Sequence, residues 1–302
     1  MNERTRSALA RAGLDPSEIQ HLVDLALDED LRYGPDVTSD ATVPNGLEAC
    51  GDIVAREHDV ICGVPTALAV LDAVGLPLEG VTTLCDDGET IEPGGVVLRI
   101  AGPLRQLLLA ERTMLNFMTH LSGIASATKS WVDALEGTNC RVRDTRKTTP
   151  GLRQLEKYAV RCGGGANHRM GLGDAALIKD NHVVATGGIT QAVAAVRAAN
   201  ADVDVEVECD TLEQVREAVA VGCSLVLLDN MTVEEIREAV AIARRATGVR
   251  LEASGGMTVS NARAVAATGV DFIAVGSLTH SSSALDLGFD LTPFEFENDS
   301  PT

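Results

Sequence analysis

Cationic side chains are concentrated between residues 141 and 182, and this part of the sequence is best suited to chemistry. The window contains nine Lys or Arg residues and four acids, whereas the other 260 residues contain 16 basic and 40 acidic ones. Because the chain has a net charge of −19, it repels polyanions at long range, and a local cationic patch favours a small, highly charged anion. The same acidity argues against nucleic acid as a partner. The alternative is a solvated helix face on which these cations pair with acids.

Three short motifs hold the cations that could contact such an anion. They are DTRKTTPG at 144–151, NHR at 167–169 and KDNH at 179–182. Arg can form two parallel hydrogen bonds to a carboxylate or phosphate, and Lys supplies a compact point charge. We interpret His168 as a site residue and His182 as a core or capping residue. Lys179 ends an apolar run and is the strongest candidate, although a buried lysine could instead form a Schiff base in an aldolase-like barrel.

Glycine turns and carboxylates follow the later apolar runs of the sequence. The glycine turns are Ser254-Gly255-Gly256 and Gly276-Ser277, and the carboxylates are Glu208 and Asp229. Exposed backbone N–H groups in such turns can bind phosphate, and hard carboxylate oxygens suit Mg²⁺ or ribose hydroxyls. The alternatives are simple connecting turns and buried ion-pair partners.

The elements that position these residues alternate between short apolar runs and helices from residue 140 onward. The predicted strands are 140–144, 175–179, 203–208, 225–229, 249–253 and 271–275. This alternation indicates parallel strands with crossover helices, and in an α/β barrel the carboxyl ends of the strands meet at one mouth. Six clear strands are fewer than the eight of a closed barrel, so we expect an open or incomplete one.

The first third of the chain has a different pattern. Asp15, Pro16 and Glu18 predict a helix start, strands are expected at 47–56, 81–84 and 95–100, and a long helix follows Pro103. We therefore predict an N-terminal α/β sandwich domain over residues 1–110, to which 280–302 returns. An α/β barrel domain is predicted over 111–279.

Composition narrows the class of protein further. The N-terminus has no apolar stretch of signal-peptide type, and no run approaches the roughly 18 apolar residues of a membrane span, so we expect a cytoplasmic protein. Seven scattered cysteines argue against a disulfide framework or a zinc site. Lysine is scarce, with four Lys against 21 Arg, and aromatic residues make up 3% of the chain.

Eight motifs in order resemble those of the quinolinate phosphoribosyltransferases, the decarboxylating nicotinate-nucleotide pyrophosphorylases. They are AERTMLNF (110–117), DTRKTTPGLR (144–153), GGGANHRMGL (163–172), KDNH (179–182), EVE (206–208), LDN (228–230), EASGG (252–256) and VGSLTHS (275–281). The resemblance covers roughly residues 30 to 290. It implies an N-terminal α/β sandwich joined to an open seven-stranded α/β barrel, a homodimer as the minimal unit, and Mg²⁺ as cofactor.

The resemblance also implies roles for individual residues. Quinolinate would contact Thr145, Arg146, Lys147, His168, Arg169 and Lys179, with Arg112 reaching the partner subunit's site. Mg²⁺ and the phosphoribosyl group of phosphoribosyl pyrophosphate would contact Glu208 and Asp229, and the 5′-phosphate would lie on Ser254, Gly255, Gly256, Val275, Gly276 and Ser277. Lys147, Lys179, Glu208 and Asp229 would be catalytic. Two alternatives remain open: a related transferase of the same fold with another substrate, and a silent phosphate-binding module.

The excess of carboxylates and the scarcity of Lys favour a protein exposed to high salt, with a GC-rich genome that favours Arg codons as the alternative. We expect activity and helicity to increase with KCl concentration, because cations screen the repulsion among the carboxylates. A KCl titration followed by enzyme assay and circular dichroism checks this. Full stability in salt-free buffer would contradict it.

Overall fold

A computed structural model describes residues 1–293. The chain forms two compact units. Unit 1 comprises Met1–Ser126, Gln154–Gly163 and the described part of Ser282–Thr302, and unit 2 comprises Ala127–Arg153 and Gly164–Ser281. These units are defined by contacts in space, and the predicted division of the chain at residue 110 stays a prediction.

The helices and strands account for most of the described residues. The helices are α1 (Glu3–Arg11), α2 (Pro16–Leu31), α3 (Val37–Thr42), α4 (Val64–Ala73), α5 (Leu104–Ala134), α6 (Arg153–Cys162), α7 (Asp180–Thr186), α8 (Ile189–Ala199), α9 (Leu212–Ala220), α10 (Val233–Ala243), α11 (Val259–Ala266) and α12 (Ser277–His280). The strands are β1 (Glu48–Ala55), β2 (Asp59–Val60), β3 (Val81–Thr83), β4 (Thr90–Ile91), β5 (Val96–Pro103), β6 (Arg141–Arg143), β7 (Ala176–Ile178), β8 (Val205–Cys209), β9 (Leu225–Asp229), β10 (Arg250–Ser254), β11 (Phe272–Ala274) and β12 (Leu287–Pro293). None of the described helices is both long and apolar enough to cross a membrane.

Unit 1 is built on an antiparallel sheet with the strand order β12-β1-β5-β3. Helix α2 begins as predicted, because the Asp15 carboxylate accepts hydrogen bonds from the backbone N–H groups of Ser17 and Glu18. Strand β12 pairs with β1, with Leu287 opposite Ala55. The described part of the C-terminal segment therefore joins the sheet of unit 1, while residues 294–302 lie outside the described residues.

Unit 2 contains a parallel sheet with the strand order β6-β11-β10-β9-β8-β7. All six predicted strands are confirmed to within two residues. Ala166 adds one isolated parallel bridge to Arg143 at the free edge of β6, so the described sheet has six strands and not the seven that the resemblance implies. Among the described residues, no hydrogen-bonded pairing joins Ala166 to β7, the strand at the other edge of the sheet, and this gap leaves the barrel open. This is the open α/β barrel that the sequence predicts.

Alternation along the strands of unit 2 places polar side chains on one face of the sheet. In β8, Val205, Val207 and Cys209 are buried, and Glu206 and Glu208 point to the opposite face from them. In β10, Glu252 and Ser254 share a face by the same rule. Because helices cover the outside of a barrel sheet, these charged positions belong to its interior.

Candidate active site

An ion pair between two predicted catalytic residues lies at the carboxyl ends of neighbouring strands. Lys179 follows β7, and its Nζ lies 2.7 Å from Glu208 Oε2 on β8. The Lys179 side chain is half-exposed, whereas that of Glu208 is 14% exposed. The backbone N–H of Lys179 donates to His182 Nδ1 at 2.9 Å, so His182 caps α7. His182 was predicted to be a core or capping residue, and the capping alternative is confirmed.

Asp229 and the first glycine turn meet at the ends of β9 and β10. Asp229 pairs in register with Ser254, and Asn230 Nδ2 donates to Asp229 Oδ2 at 2.7 Å. The backbone N–H of Asn230 donates to the Ser254 carbonyl at 3.0 Å. Gly255 has a φ of +82°, and a Cβ there would collide with the Asn230 side chain. Glycine is therefore required where the main chain turns beside Asp229.

The second glycine turn lies beside Lys147. A Cβ on Gly276 would come within 2.9 Å of Lys147 Cδ and 3.4 Å of Thr145 Oγ1. The Thr145 hydroxyl accepts from the Lys147 backbone N–H at 3.0 Å, and the Thr279 hydroxyl donates to the Lys147 carbonyl at 2.8 Å. The predicted phosphate residues Gly276 and Ser277 thus begin α12 close to Lys147, and Val275, whose side chain is buried, joins β6 through its backbone N–H.

Arg146 and Arg169 are two cations of the predicted site whose charges repel each other. Burial lowers the pKa of Arg169, and repulsion from the positive charge of Arg146 lowers it further. Arg169 donates to the Ala175 carbonyl at 2.8 Å. Arg146 Nε is buried and has no hydrogen-bond partner among residues 1–293. An anion that accepts from Arg146 and separates the two charges would therefore be stabilised here.

A buried carboxylate holds the NHR motif against the end of β6. Asp144 is fully buried; its Oδ1 accepts from the backbone N–H of His168 at 2.9 Å, and its Oδ2 accepts from Asn167 Nδ2 at 2.5 Å. Arg143, the residue before it, donates to the Asn167 carbonyl at 3.3 Å. The segment 167–169 is thereby fixed beside residues 145–147, although about 20 residues separate them in sequence.

A second charged network lies inside the sheet, and sequence reasoning assigned it no role. Arg143 donates to Glu252 Oε2 at 2.6 Å, and His168 Nε2 lies 2.8 Å from Glu206 Oε2. Burial, followed by the neighbouring Glu206 carboxylate, raises the pKa of Glu252 to about 7, although Arg143 acts to lower it. The alternation of side chains along a strand could have revealed these residues. Glu206 and Glu252 lie two residues before Glu208 and Ser254, and therefore on the same face of their strands as these predicted site residues.

The structure brings most of the predicted residues together in unit 2. Thr145, Lys147 and Gly276 form one group, Arg146 and Arg169 a second, and Lys179 and Glu208 a third, while Asp229 lies beside Ser254 and Gly255. Arg112 is exposed on α5 in unit 1. Its contribution to the partner subunit's site stays a prediction, as does direct contact between the His168 ring and quinolinate.

Two family models match this chain along most of its length. Residues 36–122 match the quinolinate phosphoribosyl transferase N-terminal domain and residues 124–290 match the C-terminal domain. The chain belongs to the quinolinate phosphoribosyltransferase family. The nicotinate-nucleotide pyrophosphorylase [carboxylating] of Mycobacterium leprae is 53% identical over 270 residues, which cover 88% of this chain and 94% of that protein. The probable nicotinate-nucleotide pyrophosphorylase [carboxylating] of Bacillus subtilis is 40% identical over 268 residues, which cover 87% of this chain and 90% of that protein.

Solved structures agree with these sequence relatives. The nicotinate-nucleotide pyrophosphorylase of Francisella tularensis superimposes with a TM-score of 0.87 at 37% identity, covering 92% of this chain and 98% of that one. The family resemblance drawn from the eight motifs is thus confirmed, together with the α/β fold class.

The raised pKa of Glu252 generates a prediction about stability. A carboxyl whose pKa rises from 4.5 to about 7 on folding stabilises the folded state below pH 4.5, and this contribution is lost as the pH rises through 7. Relative to Glu252→Gln, which stays neutral, the free energy of unfolding of the wild type should fall by about 3 kcal/mol between pH 4.5 and pH 8. Urea unfolding of both proteins across this range measures the difference, and a constant difference would contradict the shift.

Proposed function

We propose that this site transfers a phosphoribosyl group to quinolinate and releases CO₂. The reaction converts quinolinate and phosphoribosyl pyrophosphate into nicotinate mononucleotide, pyrophosphate and CO₂, a step of NAD biosynthesis. The observation that carries the proposal is the set of family cations placed around β6, β7 and the NHR motif, within a chain that belongs to the family.

Quinolinate carries two adjacent carboxylates, and the site offers cations of two kinds to them. Arg146 and Arg169 are neighbouring planar groups suited to bidentate contact, and Lys147 and Lys179 supply point charges. The unpartnered Nε of Arg146 gives one carboxylate a buried donor. Thr145 accepts from the Lys147 backbone N–H and so holds the main chain from which that side chain extends.

The phosphoribosyl end falls at the later strand ends. Glu208 and Asp229 fit Mg²⁺ because they present hard oxygen atoms on neighbouring strands, where the phosphates of the second substrate would complete the coordination. Bound there, Mg²⁺ would neutralise the charge that builds up on the departing pyrophosphate. Residues Ser254–Gly256 and Val275–Ser277 would hold the 5′-phosphate through backbone N–H groups, for which the glycines leave room.

The ion pair between Lys179 and Glu208 links the two substrates. In the structure each charge neutralises the other at 2.7 Å. A quinolinate carboxylate would replace Glu208 as the partner of Lys179, which would release Glu208 to face the ribose and the metal. Through this exchange, the binding of quinolinate would free the Glu208 carboxylate to take part in the phosphoribosyl site.

Transfer then proceeds in two balanced steps. The pyridine nitrogen attacks the anomeric carbon of the ribose while the bond from that carbon to pyrophosphate breaks, and Glu208 and Asp229 stabilise the cationic ribosyl centre. The positive pyridinium nitrogen next draws the electrons of the bond to the adjacent carboxylate into the ring. CO₂ leaves, and the ring carbon takes up a proton. Lys147 and Lys179 orient the dicarboxylate throughout.

Arg112 lies in unit 1 on the exposed face of α5, and we assign it to the site of a partner subunit in a homodimer. An isologous dimer gives each site an Arg112 from the other chain. This adds a further guanidinium to the pocket for the dicarboxylate.

Lys179→Ala tests the assignment of the most important cation. We expect the turnover of quinolinate to fall by on the order of 10²–10³, because a preorganised charge at the reacting centre is lost. Release of CO₂ and formation of nicotinate mononucleotide from quinolinate, phosphoribosyl pyrophosphate and Mg²⁺ provide the measurement.

Lys129→Ala is the matched control, since Lys129 pairs with Asp133 on α5 and has no assigned role. It should retain wild-type turnover. Wild-type turnover in Lys179→Ala would refute the assignment, and a wild-type protein that releases no CO₂ from quinolinate would refute the function.

Subunit mixing tests the shared site. Arg112→Ala and Lys179→Ala homodimers should both be inactive, whereas a mixed dimer has one site with an intact Lys179 and an intact Arg112 from the other chain. Random reassociation should restore about a quarter of the wild-type activity, because half of the dimers are mixed and one of their two sites is complete. Sedimentation confirms the assembly. A fully active monomer, or no recovery on mixing, would contradict a partner-supplied Arg112.

A further inference from the structure

Three charged side chains inside the sheet of unit 2 have no part in the proposed chemistry. They are Arg143, Glu206 and Glu252. Glu252 is fully buried, and placing carboxylates inside a sheet carries a large desolvation penalty. Their hydrogen-bond geometry shows what they hold in place.

The His168 ring is fixed in one tautomer. Its Nδ1 accepts a hydrogen bond from the backbone N–H of Arg169 at 2.7 Å, so Nδ1 carries a lone pair and the proton of the neutral ring lies on Nε2. Nε2 faces two carboxylates, at 2.8 Å from Glu206 Oε2 and 3.6 Å from Glu252 Oε1. The ring thus links the interior carboxylates to the backbone of Arg169.

This tautomer excludes a metal ion from the cluster. His168 Nε2 and carboxylate oxygens of Glu206 and Glu252 lie within 4.8 Å of one another, which is close enough for a metal site. A metal on Nε2 would move the ring proton to Nδ1, where it would point at the N–H of Arg169. The Nδ1–H and the Arg169 N–H would then be two donors facing each other, which is unfavourable. The contacts therefore fit a His168 ring held by carboxylates and do not fit a metal ligand.

Glu252 is the residue that joins the parts of this network. Its Oε2 accepts from Arg143 at 2.6 Å, and Arg143 in turn donates to the Asn167 carbonyl at 3.3 Å. Its Oε1 faces the His168 ring and has no hydrogen-bond partner within the described chain. Glu252 therefore acts on both ends of the Asn167-His168-Arg169 motif while remaining out of reach of solvent.

We propose that Glu252 is a positioning residue for quinolinate, which holds Arg143 and the His168 ring and, through that ring, the backbone of Arg169. The inference rests on the proposed quinolinate phosphoribosyltransferase activity. His168 in this view orients Arg169, and the Arg169 guanidinium, also held by the Ala175 carbonyl, contacts the carboxylate of the substrate. Glu206 is the less selective probe because it lies two residues from Glu208, whose side chain pairs with Lys179, whereas Ser254, two residues from Glu252, would contact the phosphate through its backbone N–H.

Glu252→Gln is the test, because it keeps the size of the side chain and presents an amide to the ring. We expect KM and Kd for quinolinate to rise about tenfold to a hundredfold, since a small misplacement of a binding group is costly. KM for phosphoribosyl pyrophosphate should stay within about twofold, because its proposed contacts are on other residues. Glu252→Asp, which withdraws the carboxylate, should change the same constants in the same direction.

Histidine-selective ¹⁵N NMR supplies a readout that does not depend on activity. Wild-type His168 should show the Nε2–H pattern, and Glu252→Gln should shift its resonances. Glu156→Gln is the matched control: Glu156 is also fully buried and lies 2.9 Å from a histidine, His120, but belongs to unit 1. It should shift the His120 signals and leave the quinolinate constants unchanged.

The results separate the possible failures. An active wild type whose quinolinate KM and Kd are unaltered by Glu252→Gln would overturn the positioning role. An equal rise in KM for quinolinate and for phosphoribosyl pyrophosphate would also overturn it, because general structural damage would explain such a rise. A wild type that is inactive with quinolinate refutes the proposed function. If, in addition, the His168 resonances are the same in Glu252→Gln as in the wild type, the positioning of the ring is refuted as well.

Discussion

Parallel hydrogen bonding between the strands of unit 2 is the constraint on which the site depends. It directs every carboxyl end of β6 to β11 to one edge of the sheet, so residues separated by 20 to 30 positions become neighbours. The crossover helices make this possible because they return the chain to the opposite edge after each strand. Lys179 meets Glu208, and Asp229 meets Ser254, only because of this pairing.

Charge is arranged in two layers along the barrel. The outer layer contains the cations and carboxylates proposed to meet the substrates, and several of them are exposed. The inner layer contains Arg143, Glu206 and Glu252, which are screened from water and linked to His168. Because rearranging buried charges is costly, the inner layer is stiff and can hold the outer one in place. Preorganisation of this kind is what a site for a doubly charged anion requires.

Helix α6 shows why a count of charges along the sequence overestimates the number of cations in the site. Arg161, within the cationic window, donates to the Ala12 carbonyl in unit 1, and Lys157 is fully buried there. Arg153 donates to Thr148 and to the Met170 carbonyl, and so braces the loops on either side of α6. The window looked uniform in composition, but the cations of the proposed site belong to the DTRK motif before α6 and to the NHR and KDNH motifs after it.

The sequence by itself determined the strands, the family and the residues at the strand ends, because hydrophobic alternation and short motifs are local signals. Lys179, Glu208 and Asp229 could be found because each ends an apolar run. Only the tertiary structure decided which groups touch: the partner of Lys179, the tautomer of His168 and the contacts of Glu252. These depend on distances across the sheet between residues far apart in the chain, and no local pattern records them.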